Sequence, residues 1–284
     1  MESPTEKLEL ITKYFADFTP HQLQQFASLE EAYKEWNAKI NVVSRKDIDQ
    51  LYLHHVLHSL SIAAIAEWEK GTQVIDIGCG GGFPSVPLAI FFPDVQFYAV
   101  DSIAKKLKVV DAVCEMAGIK NITTKHTRVE EIKNKKFDYA ISRAVAPLRD
   151  LWKWAGPLLI KKANQPNGLI CLKGGDLHQE IFESGVRPKM MSIYDIFPEE
   201  YFQEKFIIQV KNVSDPAIDA IRKENILSYA REELEDRKNK DRKNISENSL
   251  KERYGENFMS AVNKELEKLR SYRKFLKSGE SKNA

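Results

Sequence analysis

Residues 73–84 read QVIDIGCGGGFP, a short β-branched run that leads directly into four glycines. The segment that follows, residues 85–91, is compatible with a helix. Glycine lets backbone N–H groups approach a ligand closely, and the N-terminus of a helix adds positive partial charge. A strand, a glycine turn and the start of a helix, in this order, predict a binding site for a nucleotide-like ligand.

Turns of this kind bind dinucleotides, ATP or S-adenosylmethionine. No Gly-Lys-Ser/Thr sequence follows the glycines, which excludes a P-loop. Asp101 ends the next predicted strand, 19 residues after Gly82, where a carboxylate can accept hydrogen bonds from both ribose hydroxyls. This second acidic anchor strengthens an otherwise weak glycine motif.

Asp76 lies inside the first predicted strand, just before the glycines. Dinucleotide sites usually carry an apolar residue there. A carboxylate at this position suits a ligand with an ammonium group and no pyrophosphate, which describes S-adenosylmethionine, and we favour this interpretation. The alternative is that Asp76 caps the backbone of the loop, a common use of Asp in turns.

Length and composition indicate one sizeable core with an appendage, since the chain has 284 residues and is 43% hydrophobic. The three cysteines form no C-x-x-C pair, so neither a disulfide framework nor a structural zinc site is expected. The N-terminus is acidic, and no apolar stretch is long enough to span a bilayer. We expect a soluble cytoplasmic monomer without a membrane partner.

The chain divides into three predicted parts: an N-terminal helical layer (1–70), an alternating α/β domain (71–210) and a charged helical extension (211–284). Alternating strands and helices indicate a parallel sheet covered on both faces, and two late strands suit an antiparallel hairpin. The predicted strands are 73–77, 95–100, 121–125, 137–141, 168–172, 190–196 and 205–210. The predicted helices after the first strand are 85–91, 103–117 and 149–162, and another runs before it from 47 to 66.

Several motifs follow one another in a fixed order along the chain. One of them is DIGCGGGFP at 76–84, followed by Pro87-Leu88-Ala89. The others are NAKIN at 37–41, VDS at 100–102 with Lys105 and Lys106, RVEE at 128–131, SRAVAP at 142–147 and LKGG at 172–175. Together they resemble the bacterial 16S ribosomal RNA guanine-N7 methyltransferase family, also known as the glucose-inhibited division protein B family. The resemblance covers residues 5–210, and a set of motifs in order is far more specific than a glycine loop alone.

The resemblance implies a class I S-adenosylmethionine-dependent methyltransferase fold: a Rossmann-like, seven-stranded, mostly parallel sheet whose last strand is antiparallel. It implies methyl transfer from S-adenosylmethionine to N7 of a guanine in small-subunit ribosomal RNA. Two alternatives are a methyltransferase of this fold for another RNA or a small molecule, and a non-catalytic binding protein for ribosome assembly. The implied cofactor-binding residues, together with Asp76, are Gly78, Gly80, Phe83, Asp101, Val129, Glu130 and Arg143.

Guanine N7 carries an aromatic lone pair and needs no deprotonation before it attacks a methyl group, so no general base is expected. Arg143 follows a predicted strand at the end where such sheets bind ligands, and we predict a positioning role for it. An ion pair with Asp138 or Asp150 is the alternative. Lys173 occupies a similar place, and contact with a phosphate and simple solvation are both open.

Five residues are candidates for RNA contact: Asn37, Lys39, His55, Lys105 and Lys106. Solvation is the better interpretation for at least one of the two adjacent lysines, and sheet packing is an alternative for His55. His54 and His58 are spaced i,i+4, but no third ligand lies close in sequence, so no metal site is expected. His58 stands where many members of the family have Asp. Two other positions depart from the family pattern: Cys79 replaces Ser or Thr, and Ser85 replaces Gly. Both are small, so cofactor binding is expected to survive.

The extension carries the excess positive charge of the chain. Residues 211–284 hold 18 Lys and Arg against 14 Asp and Glu, whereas the rest of the chain is slightly acidic. We predict that the extension helps to hold ribosomal RNA, because phosphate contacts give salt-dependent affinity without sequence preference. A solvated tail is the alternative.

Truncation after Val210 tests the prediction for the extension. We expect weaker RNA binding and a shallower dependence of the affinity on salt, since each lost phosphate contact lowers the slope by roughly one. The measurement is RNA affinity across a salt series for the full and truncated chains. An unchanged affinity and slope would contradict the prediction.

Overall fold

The structure is a computed structural model that describes residues 4–44, 46–160 and 167–212. The predictions for the extension therefore fall outside the described residues. No helix in the described ranges is both long and apolar enough to cross a membrane.

Seven strands form one sheet in the order β3-β2-β1-β4-β5-β7-β6. Their bounds are β1 Gln73–Ile77, β2 Gln96–Asp101, β3 Ile122–His126, β4 Tyr139–Arg143, β5 Gly168–Gly174, β6 Lys189–Ser192 and β7 Lys205–Lys211. The first five strands pair in parallel, and β7 is antiparallel to both β5 and β6. The predicted mostly parallel sheet with an antiparallel last strand is confirmed.

Seven α-helices surround this sheet in the described part of the chain. Their bounds are α1 Pro4–Thr12, α2 Pro20–Asn37, α3 His58–Leu60, α4 Ser85–Phe91, α5 Ala104–Met116, α6 Leu148–Ala155 and α7 His178–Ser184. Helix α2 begins with a capping box in which Thr19 and Gln22 bond to each other's backbone, with Pro20 at the first helical position. That start makes its direction across the sheet well defined.

Three predicted elements differ from the structure. The helix predicted at 47–66 is a 3-10 turn (Ile48–Gln50), a π-helix (Tyr52–Leu57) and the single turn α3. The helix predicted at 149–162 ends at Ala155, where a 3-10 turn with Pro157 takes over, because proline cannot continue an α-helix. Helix α7 was not predicted, and the strand predicted at 190–196 is only four residues long.

Strand β7 reaches Lys211, and Asn212 N donates to Asn167 O, so a truncation is best made after residue 212.

The two faces of the sheet bury separate apolar cores. Successive side chains of a strand point to opposite faces, so Val74 lies in one core while Ile75 and Ile77 lie in the other. The N-terminal helices, α4 and α5 cover the first face, and α6 covers the second. The glycine turn at the end of β1 is therefore held between two packed layers.

The N-terminal layer is bonded directly to the glycine turn. The hydroxyl of Tyr33, on α2, donates to Gly81 O at 2.7 Å, and its ring stacks on Phe83 with centroids 4.8 Å apart. The loop after α2 also touches the turn, since a Cβ at Gly81 would lie 2.9 Å from Val42. Asn37 fixes this loop, because its Oδ1 accepts from the N–H groups of Val42 and Val43.

Candidate functional site

The glycine turn follows β1 and bends back toward the end of β2. The N–H groups of Gly78 and Cys79 both donate to Val100 O, at 2.9 and 3.0 Å. Gly78 has φ +71°, and a Cβ there would lie 2.7 Å from Val145 Cγ2. Only glycine satisfies both conditions without strain.

A cleft of about 150 Å³ opens beside the turn, at the carboxyl ends of the first parallel strands. This is where open parallel sheets bind their ligands. Its walls are Ile77, Gly78, Val100, Asp101, Ser102, Thr127, Arg128, Val129, Glu130, Val145 and Trp154. The cleft brings together four of the predicted cofactor residues, Gly78, Asp101, Val129 and Glu130. Trp154 and Val145 carry no signal in the sequence that would have assigned them to this cleft.

Asp101 is aimed by two backbone donors. Its Oδ2 accepts from Gly80 N at 3.0 Å, and its Oδ1 accepts from Ile103 N at 2.8 Å. Each carboxylate oxygen keeps a further lone pair, so both can accept from vicinal hydroxyls. Gly80, also predicted to bind cofactor, therefore acts on Asp101 through its N–H. The fixed carboxylate, with apolar Val129 in the same cleft, fits the ribose and adenine of S-adenosylmethionine.

Asp76 does not reach the cleft. Its side chain is fully buried on the opposite face of β1 from Ile77, and its Oδ2 accepts from Ser85 N at 3.1 Å. Burial raises the pKa of Asp76 from 3.8 to about 7, although Ser85 and Arg143 act in the other direction. Asp76 caps the start of α4 through Oδ2, as the alternative interpretation had it, while its Oδ1 is buried without a hydrogen-bond partner among the described residues. The direct contact of Asp76 with the ammonium group stays a prediction.

Cys79 and Ser85, two of the departures from the family pattern, are both buried beneath the turn. Burial raises the pKa of the Cys79 thiol well above its usual value, so the sulfur is protonated and inert. The N–H of Ser85 serves Asp76, while its hydroxyl has no hydrogen-bond partner among the described residues. Neither side chain lines the cleft.

Phe83 is almost completely buried and lies behind the turn, outside the cleft wall. Its ring centroid lies 4.9 Å from both the His55 ring and the guanidinium carbon of Arg143. In the structure Phe83 is a packing surface that supports Arg143. The contact of Phe83 with the cofactor stays a prediction.

Arg143, the last residue of β4, is held by the N-terminal layer. Its Nη2 lies 2.8 Å from His55 Nδ1, and its Nη1 donates to His54 O at 3.3 Å. Among the described residues, no salt bridge joins Arg143 to Asp138 or Asp150: Asp138 accepts from Gln73 N, and Asp150 pairs with Arg149. Burial lowers the pKa of Arg143 to about 10, which still leaves the guanidinium charged at neutral pH.

Lys173, at the end of β5, braces the turn that follows β4. Its Nζ donates to Ala146 O at 2.7 Å and pairs with Glu180 at 2.6 Å. Glu180 in turn accepts from Leu148 N at 2.7 Å, so both ends of the turn are fixed. Of the two interpretations left open from sequence, phosphate contact and solvation, neither describes this side chain.

The five predicted RNA-contact residues are not equivalent in the structure. Asn37 is used to hold its own loop, and His55 is bonded to Arg143. Lys39 is exposed but pairs with Glu35 and lies over the Trp36 ring. Lys105 is exposed and Lys106 half-buried at the start of α5, close in sequence to Asp101.

The i,i+4 histidines have separate surroundings. His54 Nδ1 lies 2.8 Å from Asp47 Oδ1, and its ring stacks on Tyr201 with centroids 3.8 Å apart. His58 is buried against Phe202, and burial lowers its pKa well below the usual value. Within residues 4–44, 46–160 and 167–212, no three His, Cys, Asp or Glu side chains are grouped to hold a metal ion.

The sheet order, the glycine turn and the carboxylate at the end of β2 define a class I methyltransferase fold. The model of the rRNA small subunit methyltransferase G family matches residues 22–202. Ribosomal RNA small subunit methyltransferase G of Bacteroides fragilis is 50% identical over 205 residues, which cover 72% of this chain and 99% of that protein. The protein of the same name from Bacteroides thetaiotaomicron is 49% identical, covering 71% and 98%, and that from Christiangramia forsetii is 46% identical, covering 71% and 95%. The chain belongs to the rRNA small subunit methyltransferase G family.

Replacing Asp76 with Asn tests its burial under the turn. The raised pKa means that ionising Asp76 destabilises the folded state as the pH rises from about 4 to about 7. Asn stays neutral and can still accept from Ser85 N. We expect Asp76→Asn to match the wild type near pH 4 and to exceed its free energy of unfolding by on the order of 4 kcal/mol at pH 8. Urea unfolding across this range measures it.

Asp94→Asn is the matched control, because Asp94 is an exposed carboxylate whose removal changes the net charge equally. Its stability should follow the wild type at every pH. Parallel curves for Asp76→Asn and the wild type would contradict the placement of Asp76.

Proposed function

We propose that this chain transfers a methyl group from S-adenosylmethionine to N7 of a guanine in small-subunit ribosomal RNA. The observation that carries the proposal is the cleft of Asp101 and Val129, which lies wholly within the residues matched by the family model. Membership of the family supports small-subunit RNA as the substrate, and the chemistry of the cleft suits the adenosine half of the cofactor.

The cofactor would be held by the turn and by the ends of β1 and β2. Asp101 would accept from the ribose hydroxyls, and Val129 with Glu130 would flank the adenine. Gly78 lets the backbone approach the ligand closely. Asp76 remains the candidate acceptor for the ammonium group, because its Oδ1 is buried without a partner among the described residues. When bound, S-adenosylmethionine supplies an electrophilic methyl group on a sulfonium.

The task of the protein in this reaction is alignment. Guanine N7 already exposes a lone pair, so no residue has to remove a proton before the attack. Holding two reactants in line can contribute roughly 7–11 kcal/mol in ideal cases. We therefore assign no general base, and we assign positioning to the rigid turn after β4 and to Arg143.

Arg143 has the capacity to bind an acceptor at this end of the sheet. A guanidinium carries five N–H donors, and contacts to His54 and His55 occupy two of its nitrogens among the described residues. The remaining donors suit a carboxylate of the cofactor or an exocyclic oxygen of the target base. Lys173 acts indirectly in this proposal, because it holds the turn beside Arg143.

RNA would be held in part by basic side chains at the rim of the site. Lys105 and Lys106 open α5 just beyond Asp101, and Lys39 lies exposed on the loop that covers the glycine turn. Phosphate contacts of this kind position an RNA without reading its sequence. A ribosomal substrate supports a cytoplasmic reaction, and a monomer remains our expectation for the oligomeric state.

Labelled S-adenosylmethionine tests the proposal directly. The full chain is incubated with small ribosomal subunits from cells that lack the activity, and the RNA is digested to nucleosides. We expect the label in N7-methylguanine of the small-subunit RNA. Label in another RNA or nucleoside would favour a different substrate, and cofactor binding without transfer would favour a binding protein.

Replacing Asp101 with Ala tests the cofactor assignment. The change removes the acceptor for two ribose hydroxyls and leaves Gly80 N and Ile103 N without their partner. We expect the dissociation constant for S-adenosylhomocysteine to rise by about 100-fold or more, since two hydrogen bonds to a charged group are lost and each contributes roughly 1.5–3 kcal/mol. Calorimetry gives the constant, and Asp111→Ala, at an exposed position of α5, is the control. Unchanged affinity would place the adenosine elsewhere.

A further inference from the structure

The N-terminal layer reaches the reaction end of the sheet through its π-helix, Tyr52–Leu57. π-helical turns are rare and occur frequently at functional sites. Two consecutive residues of this turn face Arg143: His54 offers its backbone carbonyl and His55 its ring nitrogen. The turn therefore presents two acceptors to one guanidinium across 88 positions of sequence.

The contact fixes the state of the His55 ring. A guanidinium can only donate, so His55 Nδ1 must accept, and the ring proton resides on Nε2. Burial and the nearby charge of Arg143 lower the pKa of His55 to about 3, which keeps the ring neutral at every physiological pH. His55 Nε2 is buried without a partner in the described part of the chain, so Arg143 is the one polar group that its ring contacts there.

A neutral acceptor and a carboxylate have different effects on the charge of Arg143. A carboxylate would orient Arg143 but would also neutralise its charge. Imidazole orients the guanidinium and leaves the full positive charge for a ligand. Arg143 forms no ion pair with any described carboxylate, and its flat group lies against the Phe83 ring on which His55 also packs.

We propose that His55 is a positioning residue that fixes the guanidinium of Arg143 toward the cofactor and the target base. This role rests on the proposed function. It replaces the contact with RNA that the sequence suggested for His55, since the ring nitrogens are either bonded to Arg143 or buried.

Two substitutions separate the hydrogen bond from the packing. His55→Phe keeps a ring against Phe83 and removes the acceptor, whereas His55→Asn keeps an acceptor near the position of Nδ1 and loses much of the ring. Each substitution at His55 is made both in the wild-type chain and in the Arg143→Met variant. The same two changes at His178, which is 92% exposed on α7, are the matched controls. Thermal unfolding of every variant shows whether it is folded.

The measurement is kcat and KM for methyl transfer to small ribosomal subunits by the full chain. We expect His55→Phe to lower kcat/KM by about tenfold or more, the size of one lost hydrogen bond to a charged group, and His55→Asn to restore most of it. With Arg143→Met present, His55→Phe should cause no further loss, because His55 acts through Arg143.

Three results would overturn the role of His55: full activity of His55→Phe, failure of His55→Asn to recover activity in a folded protein, or a full additional loss in the Arg143→Met background. A wild-type chain that transfers no label to small subunits would instead refute the proposed function, and with it this role. The two failures are distinguished by the wild-type activity alone.

Discussion

The packing around the Phe83 ring is the contact on which the site depends. This ring belongs to the glycine turn, stacks on Tyr33 of the N-terminal layer and supports Arg143 at the end of β4. Tyr33 also holds Gly81 through its hydroxyl. The glycine turn and Arg143 are therefore joined through one ring. The N-terminal helical layer, which the sequence predicted as a separate part, packs directly against the turn.

Burial on this face of the sheet shifts the pKa values of an acid and a base in opposite directions. The pKa of Asp76 is raised and that of Arg143 is lowered, in both cases chiefly because the charged form loses water. Arg143 still remains charged, and its contacts with His54 and His55 are with neutral groups. A partly buried cation without a salt-bridge partner among the described residues attracts an acceptor more strongly than a solvated one would. The electrostatics thus favour an anionic or carbonyl group beside Arg143.

Sequence reasoning located the sheet, the glycine turn and Asp101 correctly, because strand periodicity and the spacing of acidic residues are local signals. Strand alternation places Asp76 on the same face as Val74, while Ile77 lines the cleft, so the contact of Asp76 with the ammonium group stays a prediction. The pairing of His55 with Arg143 and that of Lys173 with Glu180 had no such signal. These contacts depend on how elements that are distant in sequence pack together, and a single sequence does not predict that packing.

Two motifs that are far apart in sequence form one structural unit. Val145 lies where a side chain at Gly78 would have to be, so the glycine of the first motif and the valine of the later one require each other. Ala144 adopts φ +54°, a conformation that costs a non-glycine residue about 1–2 kcal/mol. Bonds from Lys173 to Ala146 O and from Leu148 N to Glu180 hold this turn in place. Since alignment is what this reaction needs, a strained and doubly braced turn against the cofactor loop is the part of the fold that can supply it.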